Sequence, residues 1–113
     1  MITAFQRESF LVVSLKVKAV IVTYVVKQGR EAEFEKALRK HWKILRKENL
    51  TTAQPPFLLR DPESPNVYKE IFEWKSRSSL EKAHKFPAIQ KIWAELTELT
   101  HEGGIEPAHF DRV

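Results

Sequence analysis

Seven β-branched residues crowd the stretch from Val17 to Lys27: Val17, Val20, Ile21, Val22, Thr23, Val25 and Val26. A nearly continuous apolar run of this length predicts a strand buried on both faces. Gln28-Gly29 ends it, and a helix begins near Arg30. Phe34, Leu38, Trp42 and Leu45 recur on one face of that helix, with Ala37, His41 and Ile44 beside them. Glutamates load its first half and lysines and arginines its second, an order that suits the helix dipole. Asn49 is the expected stop. Gln54-Pro55-Pro56 leads into a short strand, Phe57 to Arg60, which the prolines make an edge or a bulged start. Asp61-Pro62-Glu63-Ser64-Pro65-Asn66 reads as a turn, and Val67 to Lys75 as a third strand. One face of that strand carries Tyr68, Glu70, Phe72 and Trp74, the other Val67, Lys69, Ile71 and Glu73. Both faces hold apolar side chains and both hold a glutamate.

Ser76 or Ser78 caps a second helix, and Ser78 with Glu81 fits a capping box. The helix passes through Leu80, Ala83 and His84, then kinks or restarts at Pro87, which has no amide to donate. Ile89, Ile92, Trp93, Leu96 and Leu99 continue it on one face. Gly103-Gly104 is expected to stop it, leaving Ile105 to Val113 as a last strand. Residues 1–16 form an extra strand or a poorly ordered extension, and residues 17–113 form one domain. The order is β-α-β-β-α-β, the ferredoxin-like α+β plan: a four-stranded antiparallel sheet with its helices on one face. The other face would be bare, yet the strands are apolar on both sides. That predicts a homodimer whose sheets pack face to face.

Composition narrows the chemistry. The chain has 113 residues and no cysteine, which excludes disulfides, thiolate metal sites and cysteine nucleophiles. The longest apolar run, Ala19 to Val26, falls well short of the ~20 residues of a membrane span. No secretory signal is evident, so the expected location is the cytoplasm and no membrane partner is expected. The basic half of the first helix reads as a solvated face. The third strand has two acids and no glycine, unlike RNA-recognition strands, so no nucleic-acid partner is expected. His41, His101 and His109 have no metal-site spacing, and His109 with Asp111 would supply two ligands at most. Neither a metal nor a cofactor is expected. Glu70 and Glu73 lie on opposite strand faces, which excludes a glycosidase-like pair from these two.

The segments Val22-Thr23-Tyr24-Val25-Val26-Lys27-Gln28-Gly29-Arg30-Glu31-Ala32-Glu33-Phe34 and Ile71-Phe72-Glu73-Trp74-Lys75-Ser76, followed by Ala83-His84 and Pro87, resemble the antibiotic biosynthesis monooxygenase-like proteins of the dimeric α+β barrel superfamily. The resemblance spans roughly residues 17 to 112. It implies a ligand site between sheet and helices, and a cofactor-independent monooxygenase acting on a small aromatic substrate, a quinol or polyketide-like compound. In such enzymes the substrate anion itself passes an electron to dioxygen, so the protein binds, desolvates and deprotonates. His84 matches the family's helix histidine and is the candidate base or substrate anchor. Tyr24, Trp42, Tyr68, Glu70, Trp74 and Trp93 are candidate substrate-binding residues, with Glu70 or Glu73 as second-choice bases. The alternative is a non-catalytic dimeric barrel that binds or senses a small apolar ligand. Haem breakdown ranks below both, because the first strand offers no asparagine.

Overall fold

The computed structural model of the chain describes residues 17–113. The expectation of an extra strand or extension at residues 1–16 lies outside the described residues. The elements are β1 (Lys18–Val26), α1 (Glu31–Lys47), β2 (Phe57–Arg60), β3 (Val67–Trp74), α2 (Arg77–Ala83), α3 (Pro87–Glu98) and β4 (Thr100–Asp111). The strands form one antiparallel sheet in the order β2-β3-β1-β4. This is the ferredoxin-like arrangement that the alternation of elements predicts.

One face of the sheet is closed. Val20, Val22, Tyr24 and Val26 of β1 and Tyr68, Glu70, Phe72 and Trp74 of β3 are buried on it. Phe34, Leu38 and Leu45 of α1 and Ile89, Ile92 and Leu96 of α3 complete the core with them. Among the described residues no element covers the other face. Cross-strand pairing sets Phe57, Ile71, Ile21 and Ala108 in one row across the four strands. Ile21 and Ile71 are half-buried and Phe57 is 58% exposed. Among the described residues β1, expected from its sequence to be buried on both faces, is buried on one and half-buried on the other.

Local signals place the elements. Asn49 takes a left-handed backbone, φ 60°, and ends α1. The Leu50 amide returns to the Leu45 carbonyl and the Asn49 amide to that of Arg46, so the terminal carbonyls are satisfied in a Schellman turn. Arg30, just before α1, donates to Glu33 and to Glu98 of α3, tying the two helices at one end. Asp61 Oδ1 accepts from the Glu63 amide and closes the β2–β3 turn.

Two details differ from the sequence expectation, the capping box and the start of β4, while the restart at Pro87 meets it. Ser76 caps α2, its hydroxyl accepting from the Ser79 amide, so no box forms between Ser78 and Glu81. Pro87 divides the second helix into two, with Pro87 at the first turn of α3, where a missing amide costs nothing. β4 begins at Thr100 and runs through Gly103-Gly104, rather than starting at Ile105. Its pairing with β1 shifts register between Tyr24–Ile105 and Val26–Thr100, so β4 bulges there. Gly103, at φ 71°, supplies the left-handed residue, and a Cβ on Gly104 would stand 2.8 Å from the His101 carbonyl oxygen. The glycines serve a bulge and not a helix stop.

Candidate active site

A cavity of about 280 Å³ opens between the closed face of the sheet and helices α2 and α3. β1 contributes Val20, Val22 and Tyr24, β3 contributes Phe72 and Trp74, and β4 contributes Ile105, Pro107 and His109. α1 contributes His41, α2 Leu80, and α3 Trp93, Leu96 and Thr97, with His84 at the C-cap of α2. Among the described residues no lysine, arginine, aspartate or glutamate lines it. The wall is apolar and aromatic with a few polar tips, the makeup of a small-molecule site.

Behind this wall runs a hydrogen-bonded chain. Tyr24 Oη donates to Glu70 Oε1 at 2.7 Å. Glu70 Oε2 lies 2.8 Å from His41 Nδ1. The Trp93 indole N–H donates to His41 Nε2 at 2.9 Å. An indole can only donate, so His41 Nε2 is an acceptor and the imidazole proton sits on Nδ1, directed at Glu70. Glu70 is fully buried and His41 is 3% exposed. Alternation along β3 puts Glu70 among Tyr68, Phe72 and Trp74. Helical spacing puts His41 between Leu38 and Leu45 on the buried face of α1. Burial pushes the Tyr24 hydroxyl far above its ordinary value, and the Glu70 charge and hydrogen bond push it further. Tyr24 therefore stays a donor.

Chains of low overall identity share this architecture. A conserved protein from Methanosarcina mazei Go1 superposes with a TM-score of 0.74 at 19% identity, over 88% of this chain and 96% of that one. SnoaB, a cofactor-independent oxygenase from Streptomyces nogalater, superposes at 0.72 with 19% identity, covering 87% and 94%. A structure of an antibiotic biosynthesis monooxygenase gives 0.71 and 19%, covering 85% and 98%. The chain has the fold of the antibiotic biosynthesis monooxygenases. No family model matches the sequence, and no curated protein matches it significantly.

Within this fold, Tyr24, Trp74, Trp93 and His84 line the cavity. Glu70 stands behind it, reached through Tyr24 and His41. Trp42 and Tyr68 do not line it. Trp42 packs partly buried against the core, and its indole nitrogen is buried without a partner among the described residues. Tyr68 Oη donates to Glu35 at 2.6 Å on the far side of α1. Glu73 faces the other way and accepts from Thr52 at 2.9 Å. His84 is exposed, with its ring edge-on to Trp93 at 5.0 Å between centroids. His41 and His109 are cavity residues that their spacing did not mark as a site. The available signal was a histidine within the apolar stripe of a helix and a glutamate within the apolar face of a strand. Among the described residues no group of His, Asp and Glu is placed to hold a metal, and no helix is long and apolar enough to cross a membrane.

Proposed function

We propose that this protein is a cofactor-independent monooxygenase that oxidises a small phenolic or quinol-type aromatic in the cavity between sheet and helices. The observation that carries the reading is the cavity itself: apolar, ringed by Tyr24, Phe72, Trp74 and Trp93, and edged with imidazoles. A cavity of ~150 Å³ holds one benzene ring. Some 280 Å³ therefore suits one or two fused rings. Aromatic walls hold a flat ring by stacking and exclude water, which favours proton transfer to a nearby base. His84, at the rim, serves as hydrogen-bond partner for a substrate oxygen.

The chemistry needs few protein groups. A base removes the proton of a substrate hydroxyl. The electron-rich anion gives one electron to dioxygen, and the carbon-centred radical and superoxide combine in a new C–O bond. The peroxide takes back the proton held by the base, and its O–O bond breaks as the distal oxygen leaves with the C–H hydrogen as water, leaving a carbonyl. One oxygen atom enters the product and the other leaves as water. The protein acts in the cytoplasm as a homodimer joined through its open sheet faces, which bring apolar rows together.

Oxygen uptake by the purified protein with chelator present, against a panel of one- and two-ring quinols, tests this. Uptake that saturates with substrate and yields the carbonyl product is expected. Saturable binding without uptake would favour a non-catalytic ligand-binding barrel. Absence of both would end the reading.

A further inference from the structure

The buried chain from Tyr24 to Trp93 has a direction, and that direction picks out one imidazole. Trp93 can only donate to His41 Nε2, which leaves the proton on Nδ1 facing Glu70 at 2.8 Å. Glu70 takes a second donor from Tyr24 and has no exposure to solvent. A carboxylate that fixes the tautomer of a histidine and faces the charge it acquires is the orienting member of a base pair. We propose that His41 is the proton acceptor of the cavity, that Glu70 is its positioning residue, and that Trp93 is the group an incoming hydroxyl displaces from His41 Nε2.

The proposal rests on the reading of the cavity as the reaction site. The substrate hydroxyl takes the place of the indole N–H and gives its proton to Nε2. The imidazolium then lies between the new phenolate and the Glu70 carboxylate, so the charge formed by the transfer is paired on both sides. Among the described residues the other titratable groups that face this space are Tyr24 from β1, His109 from β4 and His84 at the C-cap of α2, with Glu70 behind from β3. Tyr24 cannot compete as base, because burial beside Glu70 keeps its own proton on. His84 has no carboxylate partner among the described residues and is exposed, so no carboxylate there fixes its tautomer or orientation.

Para-nitrophenol reports the step without any oxidation, because its phenolate is coloured and its phenol is not. The wild-type protein is expected to bind it with a larger phenolate share than free solution holds at the same pH. His41→Gln, whose side chain still accepts from Trp93, is expected to bind it and lose that excess. Glu70→Gln should fall between the two, and Trp93→Phe should retain the excess. With an oxidisable quinol, His41→Gln should lower kcat by about 10²–10⁴-fold. An unchanged phenolate share and unchanged kcat in His41→Gln would overturn the assignment while leaving the monooxygenase reading intact. A wild-type protein that binds no phenol would overturn both. Loss of the far-ultraviolet signal in His41→Gln directs the test to Glu70→Gln, where an unchanged phenolate share would equally overturn it.

Discussion

Tyr24 keeps its proton because burial opposes a phenolate and the Glu70 carboxylate opposes it again. A group whose folded value is raised contributes stability that is complete below its unfolded value, near 10 for tyrosine, and is lost as pH rises through the folded value. Tyr68 is shifted the same way, first by burial and then by Glu35, with Arg60 opposing. Stability measured by urea unfolding is therefore expected to fall as pH rises above about 10, and less steeply in Tyr24→Phe. A flat profile in the wild-type protein would contradict the buried Tyr24–Glu70 bond. Leu38 makes a plainer case. At 1% exposure it packs α1 onto the sheet, so Leu38→Ala should cost about 2–5 kcal/mol. A cost below ~0.5 kcal/mol is that of a surface site and would place the residue off the core face.

Helix α2 is seven residues long, and such a helix depends on its ends. Ser76 supplies the hydroxyl that accepts the Ser79 amide, and Ser76→Ala is expected to cost about 0.5–2 kcal/mol. Because α2 carries Leu80 and ends at His84, the loss should also loosen the cavity wall, seen as faster amide exchange over α2 than over α3. The bulge in β4 is the opposite kind of constraint. A Cβ at position 104 would meet the backbone oxygens of His101 at 2.8 Å and Val25 at 3.0 Å. Neither is the end of a flexible side chain, so Gly104→Ala should destabilise by about 1–3 kcal/mol, as overpacking does. Equal melting temperatures for Gly104→Ala and wild type would mean the register shift at Tyr24–Val26 relaxes freely.

For the whole molecule the open sheet face is the feature that asks for a partner. Phe57, Ile71, Ile21 and Ala108 form a continuous row on it, and Phe110 at 52% exposure lies beside them. Face-to-face dimerisation would remove this row from water. Sedimentation at micromolar concentration is expected to give about twice 13.2 kDa. Ile21→Lys is expected to shift the mass towards the monomer while the far-ultraviolet spectrum stays the same. A wild-type monomer would leave the ferredoxin-like chain in place and remove the barrel.

Element order, the edge strand at Phe57–Arg60, the stop at Asn49 and the break at Pro87 were legible in the chain, because each follows from local chemistry. Periodicity of 3.6 and of 2 sorts core from surface, proline withholds an amide, and asparagine tolerates a left-handed turn. The start of β4 was not legible, since two adjacent glycines suit a helix end and a bulge equally well and only pairing with β1 chose between them. The site divides the same way. The sequence held a histidine in an apolar helix stripe and a glutamate in an apolar strand face, 29 residues apart. Nothing local says that His41 and Glu70 meet, or that Trp93 from a third element donates to the remaining nitrogen. That meeting depends on how α1 and α3 are set over the sheet, and tertiary packing alone decides it. Trp42 shows the converse: an aromatic on the same helix looked equally suited to a pocket, and the rotation of α1 turned it elsewhere.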